Sequence, residues 1–259
     1  MIAEKILNGL PLDDVFVFDV HGHYGTSPGV FLLDCYADGM LATMDKLGIN
    51  SICVSSTEGL YNNVEAGNDI VEKVAKENPS RIYGYALPSP HYEYDLSKYF
   101  YPGSGILGIK IIATSQNSEI RNKNYIPALE LADKLSLPVL FHAWDAGEVN
   151  QAVELATRFK NAKVILAHAG VTSLTAKLAA IEGVKKCENV FVDTAVSIAY
   201  EGAIEWIVSK VGVDRVLYGS DLPYFDCRQT FGKIALSKLS ETDKIKIYGE
   251  NAKKVFDLK

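Results

Sequence analysis

Phe16-Val-Phe-Asp-Val-His-Gly-His-Tyr24 runs from an apolar, strand-type segment into two histidines separated by one residue. On a strand, residues i and i+2 point the same way, so His21 and His23 leave the end of one strand on one face. Side by side, two imidazoles make half of a divalent-metal site. The rest of the chain must supply the other half.

Working outward, short runs rich in Val, Ile, Phe and Tyr alternate with longer helical patterns. Strands are predicted over 15–20, 51–55, 82–86, 107–112, 138–142, 163–168, 190–193 and 215–221. Helical spacing occupies 66–78, 126–136, 148–161, 173–187 and 203–211, and a final helix is predicted over 244–258. About eight βα units predict an α/β fold, a single (β/α)8 TIM barrel spanning 1–259 as one domain. An open doubly wound sheet fits the same alternation and is the competing expectation. The longest irregular stretch, 88–105, is rich in tyrosine and follows strand three, on the face where barrel enzymes build their sites.

With 259 residues, 48% of them hydrophobic and 22% charged, the composition is that of a globular protein. The net charge of -6 is spread without a Lys/Arg block, which argues against a nucleic-acid track or an anionic-membrane patch. No run reads as a signal peptide or a bilayer span, so a cytoplasmic protein is expected. Cys35, Cys53, Cys187 and Cys227 show no paired spacing and are expected to be reduced and buried.

Four of the five histidines fall at predicted strand ends: His21 and His23 on the first, His142 on the fifth and His168 on the sixth. Asp221 ends the eighth strand, which in a closed barrel adjoins the first. Three imidazoles and a carboxylate, with a further imidazole close by, suit Zn²⁺ and also Mn²⁺, Fe²⁺ or Co²⁺. A structural zinc site is disfavoured, because such sites are closed and usually rich in cysteine.

Asp19-Val-His-Gly-His23, Gly108-Ile-Lys-Ile111, Leu140-Phe-His142, Leu166-Ala-His-Ala-Gly170, Leu217-Tyr-Gly-Ser-Asp-Leu-Pro223 and Gly249-Glu-Asn-Ala-Lys-Lys-Val-Phe256 occur in that order. As an ordered set they resemble the metal-dependent hydrolases of the amidohydrolase superfamily, in the compact amidohydrolase-related group that includes non-oxidative decarboxylases. The resemblance implies one or two ions held by His21, His23, His142 and Asp221, with His168 polarising the substrate or binding a second ion. It leaves Lys110 with two readings: a carboxylated bridge between two ions, or a free amine paired with a carboxylate or an anionic substrate. Ile111-Ile-Ala-Thr114 departs from the His-Pro that often follows this lysine in relatives.

The main expectation is hydrolysis of an amide, ester or lactone in a small molecule by metal-activated water, with Asp221 as proton acceptor and His168 stabilising developing negative charge. The alternative is decarboxylation of a small carboxylic acid, aromatic acids included, on the same ligand set. Arg228 is a candidate anchor for a substrate carboxylate, and His91 and Tyr92 are candidates to line the pocket. A metal-dependent nuclease is disfavoured by Gly108-Ile-Lys110, where such barrels carry an acidic ligand, and a non-catalytic binding protein by the complete ligand set. The expected partner is a small-molecule substrate, and homo-oligomerisation is left open.

Overall fold

The computed structural model describes residues 1–170, 173–195 and 200–258. Eight strands lie parallel and side by side in sequence order: β1 (Phe18–Tyr24), β2 (Ser51–Ser56), β3 (Ile82–Ala86), β4 (Ile106–Ile111), β5 (Pro138–Phe141), β6 (Lys163–Leu166), β7 (Val190–Asp193) and β8 (Val216–Leu217). Helices fill the connections, among them Ala37–Leu47, Val64–Glu77, Ile126–Leu135, Ala146–Arg158, Leu174–Lys186, Ala203–Val211 and Cys227–Leu236. This curled, parallel, alternating arrangement is consistent with a TIM barrel. A doubly wound sheet would reverse its strand order at a switch point, and this order does not reverse. Hydrogen bonds also join β1 to the chain at and beyond β8: Val20 N–H to Tyr218 O (2.9 Å), Asp221 N–H to His21 O (2.8 Å) and His23 N–H to Leu222 O (2.7 Å).

Alternation along the strands separates two apolar layers. Phe18, Val20, Cys53, Tyr85, Leu140, Ile165 and Leu217 gather in one cluster, into which Phe256 places its ring 5.1 Å from that of Phe18. Ile52, Val54, Ile109, Ile111, Val139, Phe141 and Val164 pack the other way, with helix residues such as Val71, Leu129 and Val149. Strands buried on both faces read as continuous apolar runs, which is why their sequence signal is strong.

Two breaks in register set the polar residues. On β1, Asp19 pairs with Ile52 and Gly22 with Val54, so three steps along β1 match two along β2. The extra residue is a β-bulge. Without it, the parity that turns Phe18 and Val20 inward would send His21 and His23 toward the helices; the bulge turns Val20 and His21 inward in succession. Gly22 takes the outward place, where a Cβ would stand 2.5 Å from Ile52 Cδ1. On β4, Gly84 pairs with Ile106 but Tyr85 with Gly108, and this second irregularity brings Lys110 inward, 1% exposed.

Several boundaries differ from the sequence expectation. β8 is two residues long, not seven, because side chains take over its ladder: Gly219 N–H donates to Thr194 Oγ1 (3.1 Å) and Ser220 N–H to Asp19 Oδ1 (3.0 Å). The final helical stretch comprises Glu241–Ile245, a π-helical Lys246–Glu250 and Asn251–Phe256. Within 88–105 only Ser97–Tyr99 is helical, a 3₁₀ turn whose Tyr99 hydroxyl donates to Asp69 at 2.7 Å. All four cysteines are free and buried, and among the described residues no helix is long and apolar enough to cross a membrane.

Candidate metal centre

His21 and His23 are buried at the end of β1, and Asp221 follows β8 beside them. His23 Nε2 lies 3.0 Å from Asp221 Oδ1, and His21 Nε2 lies 3.6 Å from the same oxygen. Each imidazole has its other nitrogen engaged: His21 Nδ1 with Asp193 Oδ2 at 2.8 Å, His23 Nδ1 with Ser55 Oγ at 3.2 Å. The bulge that aims His21 is itself fastened. Asp19 Oδ1 accepts the His21 N–H at 3.0 Å as well as that of Ser220, and the Tyr85 hydroxyl donates to Val20 O at 2.7 Å.

His168 follows β6 in a left-handed turn, with φ of 57° at His168, 49° at Ala169 and 89° at Gly170; Asp221 has φ 66°. Residues with a Cβ rarely adopt this conformation, and it clusters at functional sites. The turn lifts the His168 ring to 4.9 Å from that of His21 and leaves its Nε2 3.9 Å from Asp221 Oδ2. The His142 ring, after β5, stands 4.8 Å from the His168 ring. Ligand atoms of His21, His23 and Asp221 lie within 4.8 Å of one another, as do those of His21, His168 and Asp193. No such group among the described residues includes His142.

Burial dominates the electrostatics. It pushes His21 down to about 4, helped by the Lys110 charge, and it also lowers His23 and His142, so the imidazoles are neutral. For Asp221 burial works upward, but His21, His23 and His168 more than offset it and hold the carboxyl well below 3.8. Lys110 is lowered to about 8 by burial, against the pull of Asp221 and Asp193, and its Nζ lies 2.9 Å from His21 Nε2. Neutral imidazoles around a carboxylate are the donor set of a divalent ion. His142 Nε2 and both ring nitrogens of His168 are buried with no hydrogen-bond partner among the described residues, as groups turned toward a ligand would be. The residues therefore fit Zn²⁺ or Mn²⁺.

The residues expected to contact substrate are scattered. Lys110 is inside the cluster. Tyr92 is 48% exposed against the Tyr94 ring, His91 is exposed with its N–H on Ser89 Oγ, and Arg228 grips Asp226 at the start of Cys227–Leu236. The structure brings other rings to the imidazoles: Trp144, half exposed, sits 4.4 Å from the His142 ring, and Tyr224 meets His23 edge-on at 4.9 Å. Sequence reasoning passed over Asp193 and Asp19. Asp193 carries the same strand-end signal that singled out His142 and His168, while Asp19 lies in the opening stretch itself.

Residues 102–258 match the family model described as amidohydrolase. No curated protein matches the chain in sequence. Among solved structures, a 2,6-dihydroxybenzoate decarboxylase from Rhizobium is 15% identical, with a TM-score of 0.76 over 94% of this chain and 99% of that one. A 5-carboxyvanillate decarboxylase from Novosphingobium aromaticivorans, complexed with manganese and a nitrobenzoic acid, is 14% identical with a TM-score of 0.75, covering 95% and 97%. A 4-oxalomesaconate hydratase from Rhodopseudomonas palustris is 20% identical with a TM-score of 0.70, covering 94% and 96%. At these identities the likeness is one of fold.

Proposed function

Because this chain belongs to the amidohydrolase family, we propose that it is a divalent-metal-dependent decarboxylase of a small carboxylic acid, built as one closed (β/α)8 domain. The observation that carries the proposal is the buried cluster of the His21, His23, His142 and His168 rings around the Asp221 carboxyl group. Decarboxylases among the solved structures similar to this chain support this reading over the hydrolysis favoured from sequence. His21, His23 and Asp221 would hold the ion, with His142 and His168 beside it. When bound, a divalent ion supplies charge that orients a carboxylated substrate and stabilises negative charge developing on it.

The chain's own groups then manage one proton. Decarboxylation breaks the bond to the carboxylate carbon and leaves the electron pair on the remaining carbon, which takes up H⁺ as CO₂ departs. A proton taken up from solvent would be shared between Asp221 Oδ2 and His168 Nε2, 3.9 Å apart, and would be delivered from one of these atoms to the carbon. Trp144 and Tyr224 offer ring faces beside His142 and His23, which suits a planar, partly apolar substrate body.

The test is direct. Protein loaded with Mn²⁺ or Zn²⁺ is assayed for CO₂ release on a panel of hydroxylated benzoates and other small carboxylic acids, alongside amides, esters and lactones. CO₂ release that a chelator abolishes is expected; turnover of an amide, ester or lactone without CO₂ release on any acid would overturn the proposal.

A further inference from the structure

Asp193, at the end of β7, is wholly buried and divides its carboxylate between two site residues. Oδ2 lies 2.8 Å from His21 Nδ1, and Oδ1 accepts the N–H of His168 at 2.7 Å and of Ala195 at 3.0 Å. On the far side of the same turn, Lys177 Nζ lies 3.5 Å from His168 O. The approach of β7 to β1 passes Gly219, where a Cβ would stand 3.0 Å from His21 Cβ and 3.1 Å from Asp193 Cγ. A side chain at 219 would wedge the pair apart.

An ionised carboxylate accepts hydrogen bonds and cannot donate them, so His21 must carry its proton on Nδ1 and present a lone pair at Nε2. That nitrogen is the one facing Asp221 Oδ1. The other oxygen binds the first N–H of a left-handed turn whose residues make no strand ladder. We propose that Asp193 is a positioning residue for the centre: one carboxylate fixes the tautomer of His21 and the left-handed backbone of His168 together. The site's ligand on β1 and its proton-handling imidazole after β6 are thereby held in one geometry. The consequence for metal affinity rests on the metal-dependent reading above; the consequence for the His21 tautomer does not.

The tautomer is read by long-range proton–nitrogen correlation on the ¹⁵N-histidine-labelled full chain, with His21 assigned by loss of its signals in His21→Asn. In the unsubstituted protein, His21 is expected as the Nδ1–H form with a strongly downfield proton. In Asp193→Asn that resonance moves upfield, Co²⁺ binding measured by chelator competition weakens roughly 10- to 100-fold, and the visible Co²⁺ spectrum changes. An Nε2–H tautomer in the unsubstituted protein overturns the proposal whether or not the variant folds. So does an Asp193→Asn protein with unchanged Co²⁺ affinity and spectrum. Failure of the unsubstituted protein to bind any divalent ion would instead sink the metal reading and leave the tautomer result to judge Asp193.

Discussion

Replacing Asp19 tests whether the β1 bulge is held by one side chain. Asp19 is fully buried, and its Oδ1 is the acceptor for two buried N–H groups, those of His21 and Ser220. Asp19→Ala strands both donors at about 1–3 kcal/mol each, so the expected loss is about 2–6 kcal/mol. Asp19→Asn keeps an oxygen for them and removes a buried acid raised to about 7, mainly by desolvation. A raised carboxyl contributes its full stability below 3.8 and loses it as pH rises through about 7, a swing of up to about 4 kcal/mol. The Asn variant should therefore gain on the unsubstituted protein between pH 5 and pH 8, whereas the Ala variant, which loses the same titration together with both acceptor bonds, should lie below the Asn variant at both pH values and below the unsubstituted protein at pH 5. Urea unfolding at both pH values gives the midpoints and slopes, and chelator competition on the same samples reads metal affinity, which should weaken in Asp19→Ala as His21 loses its aim. An Ala variant with the unsubstituted midpoint and metal affinity would refute the reasoning, as would Ala and Asn variants that behave alike.

Asp221→Asn retains a ligand oxygen but not a proton carrier, so it should keep metal binding better than turnover, with kcat reduced by roughly two orders of magnitude or more; near-normal kcat in a metal-loaded variant would remove Asp221 from the proton path. The metal-free protein should lose stability in acid. Folded-state values depressed below 6.5, to about 4 for His21 and downward for His23 and His142, contribute stability above pH 6.5 that is lost as pH falls through the folded values. For His21 alone this is about 3 kcal/mol. The measurement belongs in Asp19→Asn, which lacks the opposing titration, and a melting temperature flat from pH 6.5 to 4 would contradict it.

The architecture was legible because strands covered on both faces announce themselves as Val- and Ile-rich runs, and eight of them alternate with helical spacing. Histidines stood out because they interrupt those runs at the strand ends where the site gathers. Other features were hidden by their chemistry. Periodicity carried β8 through to Asp221, yet Thr194 and Asp19 replace the ladder there with side-chain acceptors that no hydrophobic pattern reports. The pairing of His21 with His23 follows from the i, i+2 rule, but their inward direction depends on the bulge, and a parity count from Phe18 alone gives the wrong face. Arg228 looked like a substrate anchor because its charge was visible and its partner, Asp226 two residues earlier, was not weighed. Asp193 ends its strand as Asp221 follows β8, but a carboxylate that orients a neighbour has no signature apart from that position.

The extra residue in β1 also limits how this centre could be transplanted. Copying His-Gly-His onto the strand end of another parallel sheet would not copy the site: on an unbroken strand with the same core-facing parity, both rings would be driven among the helices. The portable unit runs from Phe18 to His23, with an acid at position 19 and a backbone N–H from the segment after the last strand within reach of it. It must also bring a glycine at 22, whose missing side chain leaves room for Ile52. A designer who moved six residues and one neighbouring loop would carry the aim of the ligands along with their identity.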